Sequence, residues 1–103
     1  MNEFEVANRK YRIKKMNAIQ LLAIRSTMSF DDTEKVNKTY EQMLEHIEVN
    51  VKDNDWLQVK QGNNYYPAGI EDEINIIQKL ITHFLDYMKS VFMKSSESNN
   101  KQE

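Results

Sequence analysis

Alternation of apolar and polar positions opens the chain. Phe4 and Val6, then Tyr11 and Ile13, recur at period two, the spacing of half-buried strands. Ala7-Asn8-Arg9-Lys10 lies between them as a polar turn in which Asn tolerates a positive φ. The pattern predicts a two-stranded hairpin with Phe4, Val6, Tyr11 and Ile13 inward. Glu3, Glu5, Lys10, Arg12 and Lys14 then share the other face, where opposite charges can pair across the strands. A lone hairpin is marginal in water, so these strands must pack on helices or join a larger sheet.

The period then changes. Asn17 with Gln20 has the capping-box spacing and predicts a helix from there to Ser26 or Thr27, with Ile19, Leu22, Ala23 and Ile24 as its buried stripe and Leu21 widening it. Ser29-Phe30-Asp31-Asp32 reads as the next helix start: a Ser cap followed by acids that the helix dipole favours. Val36, Tyr40, Met43, Leu44 and Ile47 continue from it as one apolar face.

Between Val49 and Gly69 the pattern reads as an irregular connection with one short extended piece near Leu57 to Lys60. Connections of this length commonly hold a partner or cover a core edge, which makes Trp56, Tyr65 and Tyr66 candidate contact residues; the alternative for Trp56 is a plug beneath the loop. Glu71, Asp72 and Glu73 are expected to load the first turn of a long helix over 71–94, about 35 Å in length. Ile70, Ile74, Ile77, Ile81, Phe84, Leu85, Met88, Val91 and Phe92 trace its apolar face, broadened by Ile76, Leu80 and Tyr87. So wide a stripe predicts that the second half projects or pairs with a partner, with Tyr87, Met88, Val91 and Phe92 as further contact residues. Residues 95–103 hold no apolar side chain and are expected to form a disordered tail.

Composition narrows the classes. The 103 residues predict one domain, over 1–94, and the absence of cysteine removes disulfide frameworks and thiolate chemistry. No apolar run approaches a membrane span and no signal peptide is evident, so an intracellular location is expected. Charge is uneven: residues 1–30 hold six Lys/Arg against two acids, net +4, and the remainder eight against fourteen, net −6. A dipolar chain of this kind suits head-to-tail self-association or steering toward a charged partner.

Reactive constellations are missing. His46 and His83 are the only histidines and lack the i, i+4 spacing of a metal pair. Two glycines cannot build a phosphate-cradling loop or a dinucleotide fingerprint. The acids stand where helix starts and solvated faces put them. No enzyme activity, no metal and no cofactor is therefore expected. The basic run Arg9, Lys10, Arg12, Lys14 and Lys15 around Tyr11 could track phosphates. The acidic remainder favours instead a hairpin face guarded by charge against edge pairing.

Phe4-x-Val6, then Tyr11-x-Ile13-x-Lys15-Met16-Asn17-Ala18 and Leu21-Leu22-Ala23-Ile24-Arg25, resembles the opening of small tail assembly chaperones of tailed phages and prophages of Gram-positive bacteria. Trp56-x-x-Val59, Tyr66-Pro67-x-x-Ile70 and the ending Phe92-Met93-Lys94-Ser95-Ser96 are similar as well. Family hairpins often carry glycine in the turn, where this chain has Ala7-Asn8. The resemblance implies a short extended segment leading into a largely helical remainder. It also implies a non-virion factor in the cytoplasm of the bacterial host that coats the tape measure protein and helps bring tail tube protein to it. Methionines 16, 28, 43, 88 and 93 would offer adaptable contact surface, and several weakly held copies along one client would add avidity.

The expectation is thus an α+β, predominantly α-helical domain, with an N-terminal β-hairpin packed on about three helices. It acts by binding protein, with self-association open. The alternatives are a structural virion component, such as a tail completion or connector protein, and a small nucleic-acid-binding protein.

Overall fold

The computed structural model describes residues 3–101. β1 (Glu3–Val6) and β2 (Arg9–Ile13) form the expected hairpin, in the register Phe4 opposite Tyr11 and Glu5 opposite Lys10. Ala7 (φ 51°) and Asn8 (φ 63°) make the connection, both in the left-handed region, the turn geometry whose twist matches that of paired strands. Val6, Tyr11 and Ile13 are buried and Phe4 packs against them.

α1 (Ala18–Thr27) begins with a complete capping box: Asn17 Oδ1 accepts from the Gln20 N–H at 2.8 Å, and Gln20 Oε1 from the Asn17 N–H at 3.0 Å. α2 (Thr33–Leu44) starts later than the sequence pattern predicts. Its cap is Asp32, which accepts from the Glu34 N–H at 3.0 Å. Ser29 instead ties the loop to the helix, donating its N–H to Thr39 Oγ1 at 3.0 Å. Ile47, expected as the last residue of the α2 stripe, lies in β3 (Ile47–Lys52), because the helix stops at Leu44.

The main correction concerns residues 47–67. They form β3, β4 (Asp55–Gln61) and β5 (Asn64–Pro67), and with the hairpin these build one five-stranded antiparallel meander in the order β1-β2-β3-β4-β5. The protein is therefore not predominantly helical, and the sheet is much larger than an N-terminal hairpin. Tight turns make this possible: Asp53 (φ 52°) joins β3 to β4 and Gly62 (φ 64°) joins β4 to β5. Asn50 closes the first of these by donating Nδ2 to the Asp53 carbonyl at 2.7 Å. Pairing Tyr11 with Val49 carries the inward face of the hairpin to β3; Leu57, opposite Val49 on β4, remains exposed. Gln58 secures the point where β4 leaves β3 for β5, donating Nε2 to the carbonyls of Glu45 (2.7 Å) and Ile47 (2.9 Å).

α3 (Ile74–Lys101) follows β5 and returns to the other end of the sheet, packing on β1 and α2. The Phe4 ring stacks on His83 with centroids 4.3 Å apart. Glu71, Asp72 and Glu73 sit just before the helix rather than in its first turn; the Glu73 carbonyl accepts from the Ile77 N–H at 2.9 Å. The alternate residues that β1 to β3 bury join Leu21, Ile24, Met43, Leu80 and Phe84 in a single core, so the helices cover one face of the sheet. The second half of α3 does not project as far as Phe92. Met88 is 4% exposed, and Tyr87, Val91 and Phe92 pack against the core. The Arg25 guanidinium of α1 lies over the Phe92 ring, 4.6 Å from its centroid, so the stripe finds its cover within the chain. The tail expected over 95–103 falls where side chains, and residues 102–103 entirely, lie outside the described residues; the backbone of α3 is helical to Lys101.

Candidate protein interface

While β5 packs on α2, residues across β1 to β4 that do not join the core, among them Arg12, Glu48 and Trp56, turn to the second face of the sheet. Arg12 stands at its centre. Cross-strand register sets it opposite Glu48, and its Nε donates to Glu48 Oε1 at 2.9 Å. With its charge paired and its direction fixed, the guanidinium lies over the Trp56 ring, 4.4 Å from the centroid. Cation–π stacking of this kind restrains both partners while leaving the far side of the indole available. One strand further, Lys60 pairs with Tyr65 across β4 and β5, and its ammonium lies 5.7 Å from the phenol ring centroid.

Of the three expected loop contacts, Trp56 stands on this face, whereas Tyr65, 42% exposed, lines a shallow cavity with Glu41 and Leu44 of α2. Trp56 and Tyr65 sit on strands, not on an irregular connection, and Trp56 is no core plug, since it lies outside the core cluster. Tyr66 alternates to the helix side opposite Val59, where it packs against the core and donates its hydroxyl to Gln61 Oε1 at 2.9 Å. Desolvation, followed by the nearby Glu71 carboxylate, raises the Tyr66 phenol above its ordinary value, so it stays neutral. Tyr87, Met88, Val91 and Phe92 lie away from this face, in and around the core.

The histidines are separated. The His83 ring is stacked on Phe4, and His46 lies 6.4 Å from Phe84 between ring centroids. Burial holds the His46 imidazole below its ordinary value of 6.5, with Glu45 acting to raise it and Lys14 to lower it. Among the described residues no group of three His, Cys, Asp or Glu is placed to hold a metal ion. No described helix is long and apolar enough to cross a membrane.

The sequence pattern misses a second set of exposed residues. Ile19 and Leu22 of α1 read as core, yet Ile19 is 78% and Leu22 54% exposed, because Leu21 and Ile24 take the inward side. The available signal is that α1 is apolar nearly all round, and a ten-residue helix can bury only one side. Compared with protein-family models, curated proteins and solved structures, the chain finds no match.

Proposed function

We propose that this chain is a non-enzymatic tail assembly chaperone of a tailed phage. In this reading it acts in the cytoplasm of the bacterial host, where it binds the tape measure protein and assists assembly of the tail tube. The resemblance of Phe4–Arg25 to the opening of that family supplies the name. What supports a protein-binding role is the pair of cation–aromatic stacks, Arg12 over Trp56 on the open sheet face and Lys60 over Tyr65 on the β4–β5 hairpin. Tryptophan, tyrosine and arginine are the residue types that dominate binding energy at protein interfaces. An open antiparallel sheet face also accepts an amphipathic helix in the ordinary two-layer arrangement, which this sheet already uses on its other side. Acids and bases interleave on the face (Glu3, Glu5 and Glu48 with Lys10, Arg12 and Lys60), so a helical client with charges of either sign beside its apolar stripe can be matched.

Co-expression with the tape measure protein of the same phage tests the reading. The wild-type chain should keep that client in the soluble fraction, and the double substitution Trp56→Ala, Tyr65→Ala should lose at least tenfold of it while retaining its own cooperative melt. A soluble client with the double variant would remove this face from the mechanism. Mass spectrometry of purified particles distinguishes the alternative: a chaperone is absent from the virion, and a completion or connector subunit is present.

A further inference from the structure

α1 is apolar on two opposite sides. Leu21 and Ile24 face the core, while Ile19 and Leu22, with Ala23 beside them at the spacing of one helix face, form an exposed ridge. A second apolar exposure is concave. Between α2 and α3 a groove has Ile77 and Ile81 at its floor and Tyr40 and Ile74 at its sides, Ile74 being 70% exposed. Phe30 extends the Tyr40 side, their ring centroids 6.4 Å apart.

The charges beside the two surfaces are opposite. Residues 14–28 carry Lys14, Lys15 and Arg25 and no acid. Asp31 and Asp32 adjoin Phe30, and Glu71, Asp72 and Glu73 lead directly into Ile74; all five acids are exposed. Residues 70–78 contain no base. Along the chain, the segments that flank the convex apolar ridge carry bases, and those that flank the concave apolar groove carry acids.

We propose that these are the two halves of one interface between copies of this chain. Ile19 and Leu22 of one copy seat in the Tyr40–Ile74–Ile77–Ile81 groove of a second, with Lys14 and Lys15 facing the acids at its rim. In this arrangement each contact uses one ridge and one groove, head-to-tail, so one of each stays free at the ends and the array extends to further copies. Only two aliphatic side chains anchor it, so association is weak and concentration-dependent. Its charge component is screened by salt. Self-association of this kind does not depend on what the open sheet face binds.

Sedimentation equilibrium of the full chain tests the proposal. At low salt and rising concentration the wild type should pass through dimers to larger species, and these should shrink as salt is raised. Ile19→Glu disables the ridge and Ile74→Lys the groove, each at a side chain exposed enough for the fold to survive, as a thermal melt will check; Leu22→Gln is a second, uncharged ridge variant. Each variant alone should be monomeric. An equimolar mixture of Ile19→Glu and Ile74→Lys should form a one-to-one dimer that grows no further, since each supplies the surface the other lacks. A wild type that stays monomeric at millimolar concentration overturns the proposal, whether or not another protein uses these surfaces. So does a symmetric dimer that stops at two copies, a variant that assembles like wild type, or a mixture that stays monomeric.

Discussion

Ala7 occupies a backbone conformation that its side chain disfavours. Its φ of 51° is one of two consecutive left-handed positions in the β1–β2 turn, and an L-residue other than glycine pays about 1–2 kcal/mol there. Asparagine tolerates the region and adds no unfolded-state entropy of the kind glycine brings. Ala7→Asn should therefore raise stability by about 0.5–1 kcal/mol, read as an upward shift of the urea midpoint at unchanged slope. His46 offers a second residue-level prediction. Burial favours its neutral form, so the folded state takes up a proton at lower pH than the unfolded chain does. Its contribution to stability is complete above about pH 6.5 and is lost as pH falls through the depressed folded value. Melting temperature measured from neutral to mildly acidic pH should drop, and His46→Gln should flatten that slope.

At the scale of elements, helices with an explicit start signal and strands with strict alternation were legible in the chain. The Asn17/Gln20 capping box and the Phe4–Ile13 hairpin are where the pattern places them. The stretch 47–67 was not, although Asp53-Asn54 and Gly62-Asn63 carry turn chemistry suited to hairpins. Its strands alternate weakly: Leu57 remains exposed and Trp56 lies on the open face, so burial leaves little periodic trace in β4. The α3 stripe shows the opposite difficulty, since its apolar residues were recognisable but their cover was not. Met88 reads as contact surface from its position alone and is buried in the core, 4% exposed. Met88→Ala should accordingly cost about 2–4 kcal/mol in denaturant unfolding, the range for truncating a buried side chain. A cost below about 0.5 kcal/mol, normal for a surface position, would return Met88 to the candidate contacts.

The whole molecule is a two-layer arrangement whose surfaces differ in kind. One sheet face is spent on the core, and the other presents Trp56 under the Arg12 guanidinium. The ridge and groove belong to the helical layer, apart from the open face. In the proposed reading, a client on the sheet and a neighbouring copy on the helices would not compete for the same surface. Head-to-tail growth would line up several open faces, so that weak individual contacts add through effective concentration. Salt dependence of self-association belongs to this scale as well, because it reads the uneven charge distribution of the chain rather than any single pair.

The chain by itself determined the local devices: the hairpin, the capping box, the amphipathic run of α3, and the charge asymmetry between its two parts. Each depends on residues within a turn or two of one another, where spacing alone fixes the geometry. Only the tertiary structure decided that three further strands complete the sheet, which sides of α1 and α3 are covered, and that Arg12 reaches Trp56 across β3. The β2–β3 pairing and the helix cover join segments tens of residues apart, whereas β3, β4 and β5 pair across tight turns but alternate too weakly for the pattern to show them. An apolar side chain carries the same signature in a sequence whether the surface that covers it belongs to its own fold or to another molecule.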